Sequence, residues 1–314
     1  MQLPQTTSHV QHRIIDWFST NARDLPWRSA DRTPWGVLVS EVMLQQTPVV
    51  RVLPVWQEWL RRWPRPSDLA AEPSGEAVRA WGRLGYPRRA LRLHAAATRI
   101  SSEFDDAVPA TVAALKSLPG IGDYTAAAVA AFAFGVRSTV VDTNVRRVEA
   151  RLFSGTALPA PSLNAAEMQL AEALLPLDRE TSVSWNAASM ELGALLCTAR
   201  SPKCAACPVR TDCAWLAAGE PEPTYQPKGQ PWAGTDRQLR GAVMAVLRHA
   251  EHPVPRSLFF TPAVGLDGPA EDGDPSLQRL HALASDSTRL ERILADLVHD
   301  GLAESSAAGL KLPG

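Results

Sequence analysis

Soft metal ligands are concentrated at one point of the chain. Its four cysteines, Cys197, Cys204, Cys207 and Cys213, follow the pattern Cys-x6-Cys-x2-Cys-x5-Cys. Thiolates so close in sequence suit a tetrahedral zinc or a cubane iron–sulfur cluster, and spacing alone leaves both open. Structural disulfides in a chain of this size are normally spread out to close long loops, so the clustering points to metal. Two carboxylates stand in other suggestive runs: Glu41 in Val39-Ser40-Glu41-Val42-Met43-Leu44-Gln45-Gln46-Thr47, and Asp142 in Val141-Asp142-Thr143-Asn144-Val145-Arg146-Arg147-Val148. By themselves, Glu41 reads as a helix surface or cap residue and Asp142 as an N-cap. Leu118-Pro119-Gly120-Ile121-Gly122 separates two helical stretches; its glycines tolerate positive φ, and the N–H groups opening the next helix form a ready anion site.

Helices must position these groups. Apolar residues recur at spacings of three and four over Val10–Thr20, Val49–Trp63, Ala77–Trp81, Ala90–Ile100 and Thr111–Leu118, and Asp123–Phe134 runs helical to Gly135. An all-α body is expected to about residue 220, punctuated at Pro64-Arg65-Pro66, Pro73-Ser74-Gly75 and Pro159-Ala160-Pro161. The proline-rich stretch 221–232 reads as a linker. Beyond it, 233–314 holds an amphipathic helix over Thr235–Ala250, two helices within Pro275–Glu304 and a closing strand at Gly309–Leu312. Either a small winged-helix-like module or a helical tail fits that order. The 314 residues, 45% hydrophobic and 21% charged, are enough for two domains and argue against disorder.

No apolar run reaches the roughly 18 residues that cross a bilayer, and the first ten residues do not read as a targeting segment. A soluble, cytoplasmic protein is expected, with no membrane partner. The net charge of −1 conceals an asymmetry: residues 1–100 carry +6, 101–200 carry −4 and 231–314 carry −3. A basic front is compatible with an anionic partner. The 28 arginines against four lysines read first as codon bias and do not by themselves indicate nucleic-acid binding.

Hairpin, aspartate and cysteine loop together resemble, in order and spacing over roughly residues 20–215, the endonuclease III superfamily of helix–hairpin–helix DNA glycosylases. The resemblance implies a [4Fe–4S] cluster on the four cysteines and a cluster domain from 1–31 plus 143–220. It also implies a six-helix module over 32–142, whose hairpin at Gly120, Ile121 and Gly122 grips DNA phosphates. Arg23-Asp24-Leu25-Pro26-Trp27-Arg28 and the Glu41 run resemble the two N-terminal signatures of the MutY adenine glycosylases. That family excises adenine opposite 8-oxoguanine or guanine in duplex DNA. By resemblance Glu41 is the acid that protonates adenine, Asp142 the carboxylate that stabilises the sugar cation, and Tyr124 and Asn144 hydrogen-bonding partners at the sugar and the nucleophilic water. Arg23, Leu25, Trp27, Arg28 and Met190 form the adenine pocket, while Gln45, Gln46, Thr47, Tyr86 and Pro87 contact DNA.

Tyr124 stands where bifunctional relatives carry a lysine nucleophile, which implies a monofunctional enzyme; Lys116 reads as a surface residue. A thymine glycosylase acting on G:T mismatches is the alternative, and Gln45-Gln46 argue against it. Three departures stand out. Pro87 replaces the family's second tyrosine, and Ala187 replaces a Glu or Gln. The C-terminal stretch is too short for the NUDIX-like domain that reads 8-oxoguanine. Arg200 and Lys203, in the loop opening the cysteine cluster, are expected near phosphate. A nucleoid-associated monomer is expected.

Overall fold

A computed structural model describes residues 5–225, 229, 231–260, 274–284 and 286–314. The linker positions 226–228 and 230 therefore lie outside the described residues. The chain divides into two compact units: residues 1–41, 109–117 and 121–228 form the first, and 42–108, 118–120 and 229–314 the second. No described helix is long and apolar enough to cross a membrane.

The first unit is built on α1 (Gln5–Asn21), α9 (Thr143–Leu152), α10 (Ala165–Leu174) and α11 (Arg179–Leu195). Ile14, Val148, Leu174, Trp185 and Leu192 form their common core. Side-chain caps open three of these helices: Asp142, Asn164 and Asp178 each accept a backbone N–H one turn ahead. Gly193 lets α11 close on α9, since a Cβ there would lie 2.7 Å from the Cβ of Asn144. The hairpin expected at 118–122 joins α7 (Val112–Ser117) to α8 (Asp123–Phe134). Its Gly120 sits at φ +78, and α8 ends on Gly135 at φ +64, a left-handed C-terminal stop. α8 is buried from Thr125 to Ala131, which its run of alanines permits. α2 (Pro34–Leu44) brings Glu41 to the end of this unit's first segment.

The second unit contains α3 (Val49–Arg62), α4 (Pro66–Ala70), α5 (Ser74–Trp81) and α6 (Arg88–Glu103). Trp59 meets Trp63 and Trp81 edge-on, with ring centroids at 4.8 and 5.8 Å. The same unit holds α13 (Asp236–His249), α14 (Pro275–Leu283) and α15 (Ser287–His299), then the antiparallel hairpin β1 (Glu304–Ser306) and β2 (Gly309–Lys311). Val254 adds an antiparallel bridge to Leu310. Three helices followed by a hairpin give the order of a winged helix. Between α12 (Ala214–Ala217) and this module runs the proline-rich segment read as a linker. Helix is the dominant regular structure, as the periodicity requires.

Candidate active site

α2, α8 and α9 bring Glu41, Tyr124 and Asp142 into one buried network. Glu41 is 6% exposed. Burial pushes its carboxyl up to about 7; the charge of Asp142 pushes the same way, while the Tyr124 hydroxyl, which donates to it, and the Arg28 cation pull it down. At the start of α9, Asp142 accepts the Val145 N–H at 2.7 Å and the Asn144 side-chain amide at 2.8 Å. Burial raises its pKa too, against those hydrogen bonds and the nearby Arg147 charge. One carboxyl thus lacks a cationic hydrogen-bond partner, whereas the other is held by donors at a helix N-terminus. An acid and a counter-charge can be divided between two such groups.

Asn144 is itself fixed. Its oxygen accepts from Arg147 at 2.8 Å, and the same guanidinium donates to the carbonyls of Gly193 and Cys197, both at 2.7 Å. Arg147 thereby ties the Asp142–Asn144 pair to the start of the cysteine loop. The sequence offered no sign of this, because two of its acceptors are main-chain oxygens 46 and 50 positions away.

The expected adenine-pocket residues fall into two groups. Leu25 and Trp27 are buried, and Met190 packs with Tyr124 and Phe132 against Ala127, Ala128, Ala131 and Val140. Arg23 and Arg28 instead converge on Glu191, a fully buried residue that sequence reasoning missed. Arg23 donates to it at 2.8 and 2.6 Å and Arg28 at 2.9 Å. Burial alone would raise Glu191, but these bonds override it and hold the carboxylate at about 2. The remaining Nη1 of Arg28 is buried without a hydrogen-bond partner, a donor left for a ligand beside Glu41. Lys116 is exposed and ion-paired with Asp123 on the hairpin.

Four free, half-buried thiols line the loop after α11. They sense one another electrostatically, and burial pushes Cys207 up to about 11 and raises Cys204. Arg151 donates to the Cys197 sulfur at 3.4 Å and to the Thr198 and Ala199 carbonyls at 2.8 and 3.1 Å. A soft, four-thiol donor set flanked by Arg147 and Arg151 fits an iron–sulfur cluster, whose four thiolates leave it anionic. Among the described residues no three His, Cys, Asp or Glu side chains close on a single-ion site. Arg200 and Lys203 are exposed on this loop.

In the second unit, two loop tips carry the residues expected on DNA. Gln46 and Tyr86 both adopt positive φ, +54 and +48, and both are exposed. Arg89, which sequence reasoning also missed, is buried beneath them and donates to the carbonyls of Val42, Gln45 and Gly85 at 3.0, 2.5 and 3.1 Å. Pro87 caps α6, and Gln45 is half-buried. The side chains of Thr47 and Ile121 are buried, so these positions offer a partner mainly their backbone, while Gly122 is open.

Residues 39–173 match the HhH-GPD superfamily of base excision DNA repair proteins, and residues 197–213 match the iron–sulfur binding domain of endonuclease III. The latter match identifies the four-cysteine loop as a [4Fe–4S] site. An adenine DNA glycosylase of Mycobacterium tuberculosis is 51% identical over 96% of this chain and 92% of its own length. One from Mycolicibacterium smegmatis is 47% identical over 94% and 93%. The structure of a thermostable thymine-DNA glycosylase aligns with a TM-score of 0.61 at 29% identity, covering 68% of this chain and 98% of its own. An all-α fold, the hairpin, the cysteine loop and near full-length similarity lead to one conclusion: the chain belongs to the MutY family of adenine DNA glycosylases, within the helix–hairpin–helix superfamily.

Proposed function

We propose that this protein hydrolyses the N-glycosidic bond of adenine mispaired with 8-oxoguanine or guanine in duplex DNA, without cutting the strand, acting as a monomer on the chromosome. The observation that carries this reading is the buried Glu41, pushed up to about 7, which accepts a hydrogen bond from the Tyr124 hydroxyl and feels the charge of Asp142. At neutral pH a substantial fraction of Glu41 is protonated and ready to donate to N7 of a flipped-out adenine. Departure of the neutral base leaves positive charge on C1′, which the Asp142 carboxylate stabilises electrostatically or by transient covalent capture. Water then adds to C1′ and gives up its proton to Asp142, with Tyr124 and Asn144 as hydrogen-bonding partners at the sugar and the water; Asn144 also donates to the Asp142 carboxylate. Leu25, Trp27, Arg28 and Met190 surround the base, with the spare Arg28 donor available to it. Arg23 acts by fixing Glu191.

Gln45, Gln46, Tyr86 and Pro87 engage the duplex around the gap, and the hairpin at Gly120 to Gly122 binds phosphate. Cys197, Cys204, Cys207 and Cys213 would hold the cluster and with it the loop between Cys197 and Cys204, whose exposed Arg200 and Lys203 face the DNA backbone in this reading. No lysine stands at position 124, so no Schiff base with the sugar is expected. The test is base release from A:8-oxoG, A:G, A:C and T:G duplexes, with and without alkali. Cleavage of A:8-oxoG and A:G only after alkali is the expected result; release confined to T:G would establish the thymine reading instead.

A further inference from the structure

Tyr86 is an aromatic ring standing 48% exposed at a loop tip, in a backbone conformation that a tyrosine rarely adopts. A cation lies over it on each of two approaches. The Arg89 guanidinium from below is 5.5 Å from its centroid and is consumed by backbone carbonyls. The second is Arg237, from the first turn of α13, with its guanidinium 5.2 Å from the centroid and hydrogen-bonded to the Tyr86 hydroxyl. Arg237 is exposed, and one of its five N–H donors meets the Tyr86 hydroxyl.

The C-terminal module is anchored so that this contact is reproducible. Asp300, after α15, accepts from Arg240 on α13 at 2.6 Å and from Arg88, two residues past Tyr86, at 3.3 Å. Arg248, half-buried, donates to the Val78 carbonyl at 3.1 Å, and its own carbonyl accepts from Arg79. At the end of the chain, the Pro313 carbonyl accepts the Gly75 N–H at 2.8 Å. These bonds run along one side of α5 and α6 and register the start of α13 on Tyr86.

We infer that Arg237 is a specificity-determining residue: the C-terminal module supplies this guanidinium at the Tyr86 tip to read the base opposite the excised adenine. The inference rests on the proposed function, which puts the Tyr86 loop against the duplex at the mispair. A guanidinium clamped by a phenol and an aromatic face is pre-organised, so little side-chain entropy is lost when its other donors meet an acceptor. Guanine and 8-oxoguanine present carbonyl oxygens and ring acceptors that such a donor engages, and one arginine contact to a purine edge typically discriminates by about tenfold or more. This chemistry gives a short C-terminal module a direct part in opposite-base choice.

Two variants of the full-length protein, Arg237→Ala and Tyr86→Phe, test it. Each is assayed on adenine opposite 8-oxoguanine, guanine and an abasic residue, by single-turnover base release and by Kd on duplexes carrying a non-hydrolysable adenosine. An abasic partner keeps every phosphate contact and removes the base. The expected result for Arg237→Ala is a loss of about tenfold on 8-oxoguanine and guanine, with the abasic duplex unchanged and the melting temperature preserved. Tyr86→Phe keeps the ring but frees the guanidinium, and should lose preference to a smaller extent. An equal loss on all three duplexes with a shallower salt dependence would make Arg237 a phosphate contact and overturn the inference, as would no change at all. Were the parent chain to release no adenine, the proposed reaction would fall, while the Kd preference would still report on Arg237.

Discussion

Glu41 and Glu191 lie in the same unit, both removed from solvent, and end in opposite states. Glu41, whose partners are a phenol and a second acid, is pushed up to about 7, whereas Glu191, clasped by two arginines, is held at about 2. The difference teaches that burial sets a cost for charge and the partners decide whether it is met. A carboxyl left short of cations becomes a proton donor at physiological pH. A carboxylate given two guanidiniums becomes a permanently charged fixture that orients Arg23 and Arg28.

The largest expected effect follows from replacing the first. Glu41→Gln should slow base release by about 10²–10⁴-fold, the usual worth of a general acid, measured in single turnover with saturating protein. For the parent protein the rate should fall as pH rises past about 7, as Glu41 loses its proton. It should fall again in acid as Asp142, itself raised, becomes protonated. Stability carries the same sign as activity here, because both fall as pH rises through the titration of Glu41. A carboxyl whose folded pKa is raised contributes stability that is present below its ordinary value of 4.5 and lost as pH climbs through 7. Glu41→Gln should therefore melt higher than the parent at pH 8, by up to about 3 kcal/mol, while being catalytically crippled. A variant that is both inactive and less stable at pH 8 would break the comparison.

Glu191→Gln should behave in the opposite sense. It leaves Arg23 and Arg28 without their counter-charge, and removing one partner of a buried pair costs about 3–5 kcal/mol; the lower end applies here because the arginine side chains are 35% and 25% exposed. Because the folded pKa is depressed, the parent's stability from this group is present above 4.5 and lost as pH falls towards 2. Denaturant melts across that window should show a slope in the parent that the variant lacks. Equal stability of the two proteins would reduce Glu191 to an ornament of the fold.

What could be read in the chain before its structure divides along the same line. The turn glycine at Gly120 and the N-cap at Asp142 are local chemistry, and the structure has both where the sequence puts them. Glu191, Arg147 and Arg89 were invisible because a charged residue in a helical run looks like a solvated face until its partners are known. Those partners are 168, 50 and 44 positions away, and several are carbonyls that any residue supplies. The form of the C-terminal module was undecided for the same reason: only pairing of Val254 with Leu310, and of β1 with β2, separates a winged helix from a helical tail.

Arg147 tests the ground between a chemical and a structural role. Arg147→Gln removes the donor that fixes Asn144 and the carbonyls of Gly193 and Cys197. With charged hydrogen bonds worth about 1.5–3 kcal/mol, base release should drop by about tenfold or more. Visible iron–sulfur absorbance per chain should also decay faster on storage, since the first cysteine loses its main-chain anchor. A slower enzyme with a cluster as durable as the parent's would confine Arg147 to the Asp142 side.

The smallest effect is expected outside the buried network. Lys116 and Asp123 form an ion pair whose side chains are 49% and 84% exposed, where solvent screening leaves little net interaction. Lys116→Ala should melt with the parent and release adenine at the parent's rate. Borohydride added during turnover captures any Schiff base between a lysine and the sugar, and neither protein should give a trapped complex. A covalent adduct formed by the parent and absent from Lys116→Ala would show that an exposed amine takes part in the chemistry. The division between the buried acid pair proposed for catalysis and a passive charged surface would then have to be redrawn around the hairpin.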